Sequence, residues 1–413
     1  MSQRNRVVVT GIGLRSPIGA TPRELVDALQ NNRTGVVKMP QWDAVENMRC
    51  RVAGVCPENT VDASRIGREF RRSMGRIAIL AALATQDAIA DAGLADDFIR
   101  SAACGISYGS TAGSSTEMEL FLTKFFQTRN TAGLASSSYL KFMSHTCAAN
   151  LGILFQCKGP LIASCTACTS GSQGVGFGFE AIREGRATAM LTGGAEENHL
   201  INAVVFDIMF ATSKNFNDRP EATPRPFDRD RDGLVVGEGA GTLLLEEYEH
   251  AKKRGAHIHA EVLGYATNCD GSHLTSPSAE GTAAVMHAAL ADARVSSAQI
   301  GYINAHATAT PAGDIAESTA VNRVFGDQTP ISGLKGYTGH TLGACGAIES
   351  IATILMMNEG FIAPTRNLEN PDPKLAPLRH VIGGAREQRF GVGMNNNFAF
   401  GGVNTSLIFG RCP

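Results

Sequence analysis

The chain has 413 residues, 43% apolar and 18% charged, with a formal charge of -2. That globular balance gives no electrostatic case for a nucleic-acid partner, although it leaves room for a local basic patch facing an acidic protein. No apolar run reaches the ~18 residues that cross a bilayer and the first residues form no leader-like stretch, so no membrane span and a cytoplasmic location are expected.

Residues 7–13, VVVTGIG, read as a buried strand running into a glycine turn, and 74–94 carry the alanine-rich spacing of a helix. Residues 102–113 repeat the strand and glycine turn. A helix over 116–126 places Met118, Phe121, Leu122 and Phe125 on related faces, and serines and glycines interrupt it at 131–138. A short strand at 161–163 leads to Ser164-Cys165-Thr166-Ala167-Cys168, after which 170–184 continues as a helix. Its glycines cost roughly 1 kcal/mol each against alanine, which is acceptable where helices pack closely at a molecular centre.

Residues 188–197 predict a strand ending in a glycine turn, and 214–233, polar with three prolines, predicts a surface excursion. Strand and helix return from Gly239, with a further strand at 260–265. A second series follows, helical at 280–294, 314–325 and 340–357, with a strand at 301–305 and two closing strands in 390–409 around Asn395-Asn396-Asn397 and Gly401-Gly402. The pattern is α/β, in two halves of similar element content, 1–250 and 251–413. Direct sequence repetition is too weak to prove a duplication.

Ten cysteines are scattered along the chain. Cys165 and Cys168 make a CxxC pair, but no second paired cluster supplies the remaining ligands of a metal site. Cys168 stands where a strand turns into a helix, and a helix N-terminus favours a thiolate by roughly 0.3–2 kcal/mol, lowering its pKa. A buried cysteine is ordinarily inert packing. Two histidines at further strand-to-helix junctions weaken that reading: His306 opens His-Ala-Thr-Ala-Thr, and His340 follows Lys335-Gly336-Tyr337-Thr338-Gly339. Two Nε2–H donors suit a decarboxylative condensation, in which an enolate oxygen develops charge. Lys335 supplies a positive charge, and Glu349 on the following helix is placed to pair with it. Thr308 and Thr310 alternate, so an extended segment would put both hydroxyls on one side, against the polar arm of a thioester. Phe398 and Phe400 flank Ala399 before paired glycines; such aromatics are ordinarily core, yet Phe400 beside a flexible turn suits a gate.

In order along nearly the whole chain, VTGIG at Val9, ACTSG at Ala167, PFDRDRDGLVVGEGAG at Pro226, HATAT at His306, LKGYTGHTLGACG at Leu334 and NNFAFGGVNTSL at Asn396 make the sequence resemble the beta-ketoacyl-acyl-carrier-protein synthases of the thiolase superfamily, especially the type II elongating class. The resemblance implies a thiolase-like fold of two related α/β halves in stacked layers around a central helix bearing Cys168. It implies an acyltransferase in which Cys168 accepts the acyl chain and His306 and His340 promote malonyl-carrier decarboxylation and condensation. Lys335 and Glu349 match the supporting pair, backbone N–H groups of Cys168 and Phe400 the oxyanion hole, and Thr308 and Thr310 the pantetheine contacts. No tightly bound cofactor, metal or nicotinamide is implied; phosphopantetheine comes on the acyl-carrier protein. The partners implied are that carrier and a second copy, or a related ketosynthase subunit. Ala307 stands where the family has glycine. Ala112, in an acyl pocket with Phe398 and Phe400, leaves space for a longer or stiffer chain, so a specialised polyene or aryl-polyene pathway stands beside fatty-acid elongation. A noncatalytic carrier-binding subunit and a coenzyme A thiolase are disfavoured by the retained cysteine and by the paired histidine motifs.

Overall fold

In the computed structural model, which describes residues 4–412, the opening valine run forms strand β1 (Val7–Arg15), buried along its entire length. A strand buried on both faces needs helices above and below it. The other strands of the main sheet are β2 (Cys104–Gly109), β3 (Leu161–Ser164), β4 (Ala189–Glu196), β5 (Gly239–Glu247), β6 (Ala260–Cys269), β7 (Tyr302–Ala305), β8 (Pro330–Gly333), β9 (Arg379–His380), β10 (Val392–Ala399) and β11 (Val403–Gly410). They lie in the order β9-β8-β7-β10-β11-β6-β1-β5-β4-β2-β3.

That order contains one pattern twice. In β1-β5-β4-β2-β3 the first two pairings are antiparallel and the next two parallel. The run β6-β11-β10-β7-β8 repeats both the chain order and the directions. The two runs join where Val7–Val9 pair antiparallel with Ala260–Val262.

Helix α1 (Arg76–Ala92) packs on β1 so closely that a Cβ on Gly13 would sit 2.0 Å from the Ala84 carbonyl oxygen. Helix α2 (Ser115–Thr128) has no fully buried residue; of the apolar face predicted there, Phe121 packs on Phe142 at 5.3 Å, while Met118 and Leu122 stay exposed. The central helices are α3 (Ser170–Arg183), which follows Cys168, and α7 (Cys345–Glu359), buried from Cys345 through Met357. The glycines of α3 answer to packing: a side chain at Gly176 would collide with the Tyr265 ring at 2.3 Å. Between these two helices in sequence come α4 (Leu200–Asp207), α5 (Ala279–Ala293) and α6 (Pro311–Phe325).

Three expectations require correction. Residues 214–233 are not wholly a surface excursion, because Phe227 and Asp228 are fully buried. Asp228 accepts the amides of Asp230, Glu369 and Asn370, and Arg231 pairs with Asp314 and Asp372, so the buried charges of Asp228 and Arg231 are met within the chain. The helix predicted over 340–357 begins at Cys345 after a 3-10 turn at Leu342–Ala344. His340 precedes both, its amide donating to the Val235 carbonyl and its own carbonyl accepting from Gly237. Asn395, Asn396 and Asn397 lie inside β10 rather than at a turn.

Candidate active site

Cys168 occupies a 3-10 turn, Ala167–Thr169, between β3 and α3. Ala167 takes φ +49°, a left-handed conformation that costs about 1–3 kcal/mol for a residue with a Cβ. The Ser170 hydroxyl donates to the Ala167 carbonyl and the Thr169 hydroxyl to that of Thr166, both at 2.7 Å, and these hold the turn. His340 Nε2 is 2.9 Å from Cys168 Sγ. The His306 ring stands edge-on to that of His340 with centroids 5.2 Å apart, so the structure brings the thiol and both imidazoles together.

The proton on each imidazole is placed from behind. Leu342 N–H donates to His340 Nδ1 at 3.3 Å, and Lys335 Nζ stands 3.3 Å from His306 Nδ1. Both Nδ1 atoms therefore accept, and both Nε2 atoms carry hydrogen. Lys335 also donates to the His306 carbonyl oxygen and, at 2.7 Å, to Glu349 Oε1. The other Glu349 oxygen accepts from Asn397 Nδ2 at 2.7 Å. Although burial works against the charge, the Glu349 carboxylate holds the Lys335 ammonium above its ordinary pKa. Burial, reinforced by that ammonium, pushes both histidines well below the usual imidazole range, so they stay neutral.

The thiol departs from the expected helix-terminus effect. Burial pushes Cys168 up to about 12, against the pull of Lys335. Taking a thiolate out of water outweighs a dipole contribution confined to one helical turn. Cys165, the other half of the CxxC pair, is exposed while Cys168 is buried, and both are free.

Two acids that sequence reasoning passed over anchor the His306 loop. Glu317 accepts the amides of His306 and Ala307, both at 2.7 Å, and Asp314 accepts that of Ala309 at 3.1 Å. Their signal was an acid pair three residues apart on the first turns of α6, one helical face. The loop itself is not extended: Ala307 and Ala309 take φ +45° and +65°. The Thr308 and Thr310 hydroxyls nonetheless meet at 2.9 Å, and Thr310 caps α6 by accepting the Gly313 amide.

The model of the beta-ketoacyl synthase N-terminal domain matches residues 4–251, and that of the C-terminal domain matches residues 259–369. The chain belongs to the beta-ketoacyl synthase family. It is 38% identical to 3-oxoacyl-[acyl-carrier-protein] synthase 2 of Vibrio cholerae over the full length of both chains. The crystal structure of a beta-ketoacyl synthase from Burkholderia phymatum superposes with a TM-score of 0.96 at 46% identity, covering 99% of this chain and 100% of that one. The ishigamide ketosynthase/chain length factor superposes at 0.93 with 33% identity, covering 99% and 100%. The fold is thus the thiolase-like ketosynthase fold.

In this beta-ketoacyl synthase a cavity of about 510 Å³ opens onto Cys168, His306 and His340, and Thr308, Thr310, Phe398 and Phe400 line it. The Phe400 ring, 36% exposed, stacks on Phe206 at 5.7 Å and precedes Gly401 and Gly402, both in left-handed conformations. Phe398 packs edge-on against His306 at 5.8 Å. Among the described residues neither the Cys168 nor the Phe400 amide donates to a backbone carbonyl. Ala112 does not line the cavity. After β2 the chain is held by the Cys165 thiol, which donates to the Thr111 carbonyl, and by the Ser110 hydroxyl, which donates to the Ala112 carbonyl. Ala307 takes φ +45°, a conformation that suits glycine, and Glu317 holds the alanine there by accepting its amide.

Proposed function

We propose that this synthase joins an acyl group on Cys168 to a two-carbon unit from malonyl-acyl-carrier protein, giving 3-oxoacyl-acyl-carrier protein and carbon dioxide, in fatty-acid elongation. The carrying observation is the pair of Nε2–H imidazoles beside the Cys168 sulfur, each held in that form by a donor at Nδ1. In the first half-reaction Cys168 Sγ attacks the acyl-carrier thioester, the bond from the acyl carbon to the phosphopantetheine sulfur breaks, and the proton given up by the Cys168 thiol goes to the departing sulfur. Malonyl carrier then enters between Thr308 and Thr310 on one side and Phe398 and Phe400 on the other. His306 and His340 donate to its thioester oxygen while the carboxylate leaves as carbon dioxide, so negative charge develops against preset donors. The resulting enolate carbon attacks the Cys168 thioester, whose oxygen is received by the amides of Cys168 and Phe400, and the cysteine sulfur departs. Lys335 and Glu349 hold His306 rather than touch substrate.

A homodimer is the assembly we favour, supported by α2, which has no fully buried residue, and by exposed Met118, Leu120, Leu122 and Phe126 along it. A pairing with a related ketosynthase subunit is the alternative. We read residues 1–250 and 251–413 as two halves, on the support of their shared strand order. No helix among the described residues is long and apolar enough to cross a membrane. We place the enzyme in the cytoplasm on the strength of its relatives. A second reading is a ketosynthase of a specialised pathway, such as a polyene or aryl-polyene one; its support is the 36% identity to a putative polyketide beta-ketoacyl synthase of Streptomyces cyaneus.

Intact-mass and product analysis with malonyl carrier and saturated, unsaturated and aryl-acyl carriers decides between the two. Preference for saturated chains supports elongation, and preference for conjugated or aryl chains supports the second reading. Absence of any acyl adduct on Cys168 would leave a noncatalytic carrier-binding subunit.

A further inference from the structure

Cys168 Sγ and one ring nitrogen from each of His306 and His340 lie within 4.8 Å of one another, all three residues buried. A thiolate and two imidazoles are a donor set for tetrahedral Zn²⁺ with a fourth position open. Nothing in the composition of this trio distinguishes it from a zinc site.

The distinction lies behind the rings. An imidazole that binds a metal presents a lone pair to the ion and donates its other ring N–H to an acceptor, a carboxylate, carbonyl or water. Here the polarity is reversed at both histidines. His306 Nδ1 faces the Lys335 ammonium and His340 Nδ1 faces the Leu342 amide, each at 3.3 Å. Each lone pair is thus spent on the side away from the cavity, and each proton sits on the side a metal would occupy. Moving the proton to Nδ1 would set N–H against N–H.

The two locks differ in strength. The Leu342 amide is a neutral donor at a long 3.3 Å, which a metal–nitrogen bond outweighs. Lys335 cannot be displaced in this way. Its side chain is 1% exposed, and its other protons are engaged by Glu349 Oε1 at 2.7 Å and by the His306 carbonyl oxygen. It also places a positive charge next to where a dication would sit.

We infer that the Cys168–His306–His340 trio is a latent soft-metal site that Lys335 keeps closed to Zn²⁺ and related cations, so that removing the ammonium opens it. The inference stands on this geometry and does not depend on the condensation chemistry, and its readout is metal binding rather than turnover.

The test uses Co²⁺ as an optical probe and Zn²⁺ as its competitor on the full chain, comparing wild type with Lys335→Met/Glu349→Gln, in which the partner carboxylate is neutralised as well. The double variant is expected to show cobalt–thiolate absorption and binding about 10–100-fold tighter than wild type, the range over which groups behind a ligating histidine act. Adding Cys168→Ala is expected to abolish that absorption. Equal Co²⁺ affinity in wild type and variant, no absorption in a folded variant, or absorption that survives Cys168→Ala each overturns the inference. Nitrogen-15 NMR of the wild-type imidazoles tests it without any variant: Nε2–H on both rings upholds it, and Nδ1–H on His306 overturns it.

Discussion

Lys335 and Glu349 meet at 2.7 Å with both side chains withdrawn from water, at 1% and 3% exposure. Removing one partner of such a pair strands a buried charge, which costs roughly 3–5 kcal/mol, whereas replacing both with apolar side chains is often neutral. Glu349→Ala is therefore expected to lose stability on that scale in urea unfolding, and Lys335→Met/Glu349→Leu to recover most of it. Equal stability of Glu349→Ala and wild type would show that the pair is not buried as described.

The two histidines and the thiol are separable in the assay. His306→Ala and His340→Ala are each expected to slow carbon dioxide release from malonyl carrier by about 10²–10³, the usual effect of removing one oxyanion donor. An acyl adduct should still form on Cys168, seen by intact mass. Loss of the adduct along with decarboxylation would assign the histidines to the first half-reaction instead.

Because burial pushes the Cys168 thiol up to about 12, the thiolate is a small fraction at neutral pH. Alkylation by iodoacetamide is expected to climb about tenfold per pH unit from pH 7 to 10 without levelling off. A plateau near pH 8 would mean that the helix terminus prevails over burial.

Decarboxylation by enzyme already loaded with acyl group should follow the opposite logic. Burial and Lys335 hold His306 and His340 well below 6.5, so their neutral donor form persists and no inflection is expected near pH 6.5. The unfolded chain does take up protons there, binding more than the folded chain, so the contribution of these histidines to stability is present above about pH 6.5 and is lost on acidification below it. A histidine-like step in the rate at pH 6.5 would contradict the burial.

Gly194 in β4 tests the packing behind the site. A Cβ there would sit 2.3 Å from the Gly343 oxygen and 2.7 Å from the Gly171 Cα, wedging the turn after His340 away from the helix after Cys168. Gly194→Ala is expected to cost about 1–3 kcal/mol and to reduce condensation disproportionately. Unchanged turnover in a destabilised protein would show that the 2.9 Å Cys168–His340 contact tolerates the shift.

What could be read from the sequence follows a physical line. Strand-to-helix junctions are visible as apolar runs ending in glycine, and Cys168, His306 and His340 all stand at such junctions, so their proximity was legible. The pairing of Lys335 with Glu349 was legible from charge alone. Burial was not. It reverses the expected shift of the Cys168 thiol, converts Asp314, Glu317 and Asp228 from surface acids into internal acceptors of backbone amides, and draws Asn395–Asn397 into the sheet. Whether Ala112 reaches the cavity depends on which way the chain turns after β2, and no local pattern encodes that direction.

The seam at Val7–Val9 and Ala260–Val262 separates the origins of the reacting groups: the nucleophile belongs to the first run of strands, and both imidazoles and the Phe400 turn belong to the second. During synthesis the thiol is complete more than a hundred residues before His306, the earlier of its two imidazole partners, and β11, which pairs with β6 and β10, follows later still. A nascent or truncated chain thus carries Cys168 with no donors facing it. Decarboxylation of malonyl carrier therefore awaits the second run of strands.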